Sequence, residues 1–162
     1  MLRTTLRTTA IAQLKLRPVT SFSSQLRQFN NTSTKMADMK KIFTANACPP
    51  AGPYTQAIAT GNIIFVSGQI PADKEGNLVE GSIAQKTESC CKNVIAILEE
   101  AGSDISRVVK TTVFLDDMAN FAEMNGVYEK FFAHKPARSC VAVKQLPKGV
   151  PVEIECIALS KL

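Results

Sequence analysis

The stretch PARSCVAVKQLPKGVPVEIECIAL, residues 136–159, decides how the fold is read. Two short apolar runs flank Pro147, Lys148 and Gly149, which supply turn chemistry. The runs predict strands over Arg138–Lys144 and Val152–Leu159. Strand side chains alternate, so Arg138, Cys140 and Ala142 share one face, and Glu153 and Glu155 sit opposite Val152, Ile154 and Cys156. A pair of core strands needs neither a guanidinium nor two carboxylates.

Working outward, Val108–Leu115 is β-branched and reads as a strand. Gln56–Ala59 and Ile63–Ile70 flank the turn signal TGN and predict a hairpin, and Lys41–Thr44 is a short strand candidate. Ser82 caps a predicted helix with the stripe Ile83, Thr87, Cys90, Val94, Ile97 and Leu98, ending at Gly102. Asp117 caps a second, with Phe121, Met124, Asn125, Tyr128, Phe131 and Phe132 on one stripe. The order β-β-β-α-β-α-β-β describes an α+β domain with two helices on one face of a mostly antiparallel sheet. IIFVSGQI (63–70) and VVKTTVFL (108–115) place apolar side chains on both strand faces, and two helices cover one face only. The second face is expected to be buried against other copies of the chain in a closed homo-oligomer.

The chain has 162 residues, enough for one domain with a sizeable core, and 45% are hydrophobic. No apolar run approaches the roughly 20 residues that span a bilayer, so no membrane partner is expected. The net charge of +5 is unevenly distributed. Six of the 19 basic residues (Arg3, Arg7, Lys15, Arg17, Arg27, Lys35) precede Asp38, the first of the 14 acidic residues, which leaves residues 37–162 with 13 basic groups and a net charge of −1. A nucleic-acid protein keeps its positive patch on the folded domain; none is expected here. Residues 1–36 are Arg- and Ser-rich and acid-free, and Leu2, Leu6, Ile11 and Leu14 make one apolar helical face. That is the makeup of a mitochondrial transit peptide. RQFNNT (27–32) resembles a two-step matrix processing signal, so the mature domain is expected over residues 37–162 in the mitochondrial matrix. Met36 and Met39 leave a minor cytosolic form open.

Five cysteines (Cys48, Cys90, Cys91, Cys140, Cys156) match no metal-ligand spacing and read as free thiols. His134 is the single histidine, read as a solvated loop residue, so no Ser-His-Asp triad or His-based metal site can be built in one chain.

Five polar positions fall where burial is expected: Arg138, Glu153, Asn125 in the second helix stripe, and Ser67 and Gln69, which a regular strand puts on one face. Each has an ordinary structural explanation, an Arg–Glu brace between strands or an Asn bonded to a backbone carbonyl. Together they pair a carboxylate-binding fork with a carboxylate able to act as base.

These residues lie in GPYTQAI (52–58), FVSGQIP (65–71), VVKTTVFL (108–115), MNGVYEKFF (124–132) and PARSCVAV…LPKGVPVEIECIA (136–158), which resemble the RidA/YjgF family of reactive-intermediate deaminases, in its eukaryotic mitochondrial matrix-factor branch. The resemblance covers nearly all of residues 39–160. It implies a chorismate-mutase-like fold and a homotrimer with three clefts between subunits. It implies hydrolysis of enamines and imines, such as 2-aminoacrylate released by pyridoxal-phosphate enzymes, to 2-oxo acids and ammonia, with no cofactor. Protection of mitochondrial metabolism follows, branched-chain amino-acid synthesis included. Arg138 matches the arginine that grips the substrate carboxylate, a task for a planar fork, and Glu153 the acid that activates water; Glu155 reads as structural. Tyr54, Ser67, Asn125 and Cys140 match cleft-lining residues, and Gly68 stands where the family's backbone approaches the ligand. Two alternatives remain open: an RNA-cleaving translation inhibitor and a non-catalytic ligand-binding trimeric scaffold.

Overall fold

The computed structural model describes residues 38–161; the expected transit peptide lies outside them. The chain folds as β1 (Met39–Ile42), β2 (Ala57–Thr60), β3 (Ile63–Gln69), α1 (Ile83–Glu100), β4 (Val108–Leu115), α2 (Phe121–Phe131), β5 (Ala137–Ala142) and β6 (Val152–Leu159). This is the element order expected from the sequence. The six strands form one sheet in the order β1-β2-β3-β6-β4-β5. Only β4 and β5 run parallel. β1 begins two residues before the strand predicted there.

Local chemistry sets the element ends. The Ser82 hydroxyl accepts from the Gln85 N–H and the Gln85 side chain accepts from the Ser82 N–H, a capping box that starts α1. At the other end Gly102 (φ 73°) donates to Glu99 O, and Ser103 N donates to Leu98 O, closing the helix in a left-handed turn. Asp117 caps a short 3-10 turn over Met118–Asn120, and α2 follows at Phe121. The helix therefore starts later than its cap suggests. Buried amides tie the loops to this frame. Gln56 donates to Thr44 O and Cys48 O and accepts from Thr44 N, while Asn93 of α1 bonds Cys48 N, Ile70 O and Ala72 O.

Both helices lie on one face of the sheet, and α1 packs against α2, β3 and β6. Ile64, Val66, Val113, Leu115, Val152, Ile154 and Cys156 point into that layer, where they meet Val94, Ile97, Leu98, Met124 and Phe132. The other face is only partly covered among the described residues: Phe114 packs against a second cluster of Cys48, Ile70, Ala72, Leu146 and Val150, while Ile63, Phe65, Val109 and Val141 are exposed.

The two closing strands are not neighbours, as the short turn between them suggested. β4 lies between them, parallel to β5 and antiparallel to β6. Residues 143–151 pass the end of β4, with Val143 N donating to Leu115 O and Asp116 N donating to Pro151 O. Lys148 (φ 54°) and Gly149 (φ 70°) make the reversal in left-handed conformations. β5 becomes an edge strand, and Arg138 is exposed where burial was expected.

Candidate functional site

In the parallel ladder Thr111 pairs with Arg138 and Val113 with Cys140. Thr111 and Val113 are buried under the helices, so Arg138 and Cys140 face the helix side. There α2 receives the guanidinium. Arg138 Nη1 donates to Asn125 Oδ1 at 2.7 Å, and Arg138 Cζ stands 4.6 Å from the centre of the Tyr128 ring and 5.7 Å from that of Phe121. A cation at this distance from a ring face is attracted by its quadrupole. Cys140 is partly buried, and burial raises its thiol above the usual range while the Arg138 charge pulls it down. A protonated thiol suits a wall better than a nucleophile.

Glu153 and Glu155 alternate with the buried residues of β6 and face the open side. Glu153 is the register partner of Phe114 and Glu155 of Thr112. On the other side of β6, the pairing of β3 slips between Val66 and Gln69, so two residues, Ser67 and Gly68, bulge out. Gln69 then turns inward with Val66, paired with Ile154 and buried, and does not share a face with Ser67 as a regular strand predicts. The bulge brings Gly68 against Glu153: a Cβ on Gly68 would fall on the Glu153 carboxylate. Ser67 Oγ donates to Thr55 O at 2.7 Å, which holds the bulge to the preceding loop. Burial raises the Glu153 carboxyl above the usual carboxylate range, and the Glu155 charge adds to the rise.

Beside this point lies an open cleft of about 980 Å³, lined by Tyr54, Phe65, Ser67, Lys110, Thr112 and Glu155 among others. Tyr54 stands exposed at its rim, its hydroxyl accepting from Ala51 N.

The expected site residues thus form two groups within one chain. Tyr54, Ser67, Gly68 and Glu153 gather on the open side; Arg138, Asn125 and Cys140 lie on the helix side of the edge strand. Among the described residues the ion pairs are Lys74–Glu75, Lys92–Glu88 and Lys161–Asp104, and neither Arg138 nor Glu153 takes part in one. The Arg–Glu brace does not form. Asn125 bonds Arg138 and not a backbone carbonyl. Sequence reasoning missed Phe121, Tyr128 and Thr111 as neighbours of the guanidinium, because the first two read as core. The available signal was Asn125 standing between them at helical spacing. His134 is exposed in its loop, and its Nε2 lies 2.8 Å from Val108 O, to which it donates. All five cysteines are free, and no cluster of metal-binding side chains occurs among the described residues. No described helix is long and apolar enough to cross a membrane.

The family model described as endoribonuclease L-PSP matches residues 44–160. The chain belongs to the endoribonuclease L-PSP family, which is the RidA/YjgF family. Within this family it is similar to a RutC family protein of Pyrococcus abyssi, 53% identical over 119 residues, which is 72% of this chain and 94% of that one. It is also similar to the mitochondrial protein Mmf1 of Saccharomyces cerevisiae, 49% identical over 121 residues, 74% of this chain and 83% of that one. The crystal structure of yeast Mmf1 superposes with a TM-score of 0.75 at 47% identity, covering 76% of this chain and all of that one. E. coli TdcF, solved with bound serine, gives a TM-score of 0.72 at 38% identity over 75% of this chain and 99% of that one. The L-PSP fold of these structures is the α+β fold described above.

Proposed function

We propose that the protein hydrolyses enamines and imines of small 2-amino acids, 2-aminoacrylate, 2-iminopropanoate and 2-iminobutanoate among them, to 2-oxo acids and ammonia. One observation carries this reading. The chain holds a guanidinium and a partly buried glutamate of raised pKa, both without an ionic partner among the described residues, on opposite faces of one sheet. Two unpaired charges of opposite sign that cannot meet within a chain suit a site completed by a second copy. Arg138 of one copy would take the substrate carboxylate, and Glu153 of the next would face the imine carbon. A homotrimer, as the resemblance implies, closes three such sites and covers the exposed Phe65 and Val141.

In this reading the fork of Arg138 binds the carboxylate in its plane. An enamine enters as its imine tautomer. Glu153 accepts a proton from water as the oxygen adds to the C=N carbon of the N-protonated imine, giving a neutral carbinolamine. It returns that proton to the nitrogen and takes the hydroxyl proton as the C–N bond breaks. Ammonia leaves with that proton as ammonium, so a 2-oxo acid remains and Glu153 is again a carboxylate. A carboxyl titrating above its usual range serves both steps better than an ordinary glutamate. Tyr54, Ser67, Asn125 and Cys140 form the walls, and Gly68 keeps the backbone close to Glu153. All of this chemistry is supplied by side chains, without a cofactor. The bound serine in TdcF supports a site for a small amino-acid-like ligand in this fold.

The family description names an endoribonuclease, which favours RNA cleavage as the second reading. Against it stand the net charge of −1 over residues 37–162 and a lone histidine engaged by a backbone carbonyl. For location, the mitochondrial name of the Mmf1 relative supports matrix import by residues 1–36. N-terminal sequencing of protein from purified mitochondria tests it, and an intact Met1 refutes removal.

The test of function is ammonia release from a freshly generated enamine by the wild type and by Glu153→Gln. A wild type no faster than buffer, or equal rates in both proteins, refutes deamination by Glu153.

A further inference from the structure

We infer that Thr111 and Tyr128 are positioning residues that set the plane of the Arg138 fork. The inference rests on the reading of Arg138 as the carboxylate-binding group. A guanidinium offers five N–H donors around its edge and two faces. Asn125 occupies Nη1, and the Tyr128 ring covers a face with Cζ 4.6 Å from its centre. Among the described residues Nη2 and Nε have no hydrogen-bond partner. The edge they form is left for a planar, bidentate partner.

The ring that sets this plane is itself fixed. Tyr128 is 6% exposed and Thr111 is fully buried, and their hydroxyls lie 2.7 Å apart. Phe132 stacks on Tyr128 with centres 4.3 Å apart and planes at 23°. Thr111 is also the register partner of Arg138 in the parallel ladder. A closed circuit results. The strand pairing runs from Arg138 to Thr111, the hydroxyl contact from Thr111 to Tyr128, and the cation–π contact from Tyr128 back to Arg138. Phenylalanine at 128 would supply the face but not the tether. The competing role is a bolt that joins α2 to β4 and does nothing to the fork.

The two roles separate by binding. The intact oligomer is titrated with 2-oxobutanoate by calorimetry, and the Nε–H resonance of Arg138, assigned by its absence in Arg138→Ala, is followed by NMR. Tyr128→Leu is expected to shift that resonance and to weaken 2-oxobutanoate about fivefold, the loss of a cation–π contact to an exposed guanidinium together with the tether. Thr111→Val and Tyr128→Phe, which conserve shape, are each expected to weaken it about threefold. The double variant is expected to do no worse, since both changes break one bond. Neutral 2-oxobutanamide should bind all variants alike. Wild-type affinity in Thr111→Val and Tyr128→Phe, with only the melting temperature lowered, overturns the inference and leaves the bolt. Equal affinity in wild type and Arg138→Ala overturns the reading of Arg138 and this inference with it. A wild type that binds 2-oxobutanoate through Arg138 but releases no ammonia refutes the deaminase proposal alone, and the variants still decide the cradle.

Discussion

The two faces of the sheet are built from the same strands by alternate residues, and they are finished differently. On β6, Val152, Ile154, Cys156 and Ala158 sink under the helices, while Glu153, Glu155, Ile157 and Leu159 remain partly exposed. On β4, Thr111, Val113 and Leu115 are buried, and Lys110, Thr112 and Phe114 look outward. The helix side is closed, with every buried side-chain polar atom satisfied among the described residues. The open side keeps apolar side chains exposed, Phe65 at 46% and Val141 at 45%. One face folds the chain. The other keeps apolar side chains exposed among the described residues, and in the proposed function it meets a second copy of the chain.

The largest expected effect tests that division. Ile154→Ala empties a fully buried position on the closed face and is expected to cost about 2–5 kcal/mol, a large part of the stability of a domain this size. Phe65→Ala removes a bigger side chain from the open face. It should leave the unfolding of the separated chain nearly unchanged and shift assembly towards smaller species. Urea unfolding and sedimentation at several concentrations read the two quantities. Equal losses of stability in the two variants would break the comparison.

The second effect is on turnover. Arg138→Ala and Glu153→Gln are each expected to lower kcat/KM by about 100-fold or more, the usual worth of a positioned acid–base group or a charged fork. Neither should unfold the protein, since Arg138 lies exposed on an edge strand. Mixing the two inactive variants under subunit exchange should restore a fraction of the activity, because some hybrid sites then combine an intact Arg138 with an intact Glu153. Hybrids that form and remain inactive would place both residues' work within one chain.

Much of this frame was legible in the sequence. β4 and β6 were predicted to the residue, because each is an apolar, β-rich run ended by turn chemistry. Ser82 and Gly102 announced both ends of α1. The neighbours of β5 were not legible: alternation along a strand says which way a side chain points and nothing about which strand lies beside it. The bulge at Ser67–Gly68 was hidden for a related reason, since the glycine showed only what its partner, Glu153 of β6, required of it. Asn93 and Gln56 gave no sign of being buried ties, because an amide in a helix or beside a strand reads as surface. The members of the candidate site come from the resemblance alone. Their division between two faces was not legible, because it depends on β5 crossing to the far side of β4.

A third, smaller effect probes the contact that the bulge creates. Gly68→Ala puts a methyl group where the Glu153 carboxylate lies. The obstacle is the far end of a flexible side chain, so Glu153 can rotate away and the fold should survive. Activity is expected to fall about tenfold, with little change in melting temperature. A fall in stability as steep as the fall in activity would mean that the bulge is a structural joint first.

The smallest effect is on stability against pH, and it follows from the cost of keeping a carboxylate on the half-buried side of the sheet. Burial, and then the Glu155 charge, raise the Glu153 carboxyl above its usual value. The folded chain therefore holds this proton more tightly than the unfolded chain does, and the neutral form favours folding. The contribution is fully present below the unfolded glutamate value, about 4.3, and is lost as pH rises through the higher folded value. At neutral pH the wild type carries an unfavourable charge that Glu153→Gln lacks. The variant should melt slightly above the wild type at pH 7, and the gap should close as the pH falls through the ordinary glutamate range. Asp73 and Glu88 act in the opposite direction, because hydrogen bonds, chiefly from Asn77 and Lys92, hold them below the usual range. Both proteins share that acid loss, so it cancels in the difference. Glu155→Gln removes the second cause of the rise, and it should move the acid limb of kcat/KM to lower pH without abolishing turnover. A Glu153→Gln variant no more stable than wild type at pH 7 would mean that a partner chain, or a cation bound from solution, already neutralises the glutamate before substrate arrives, and the open face would then be finished in the resting protein.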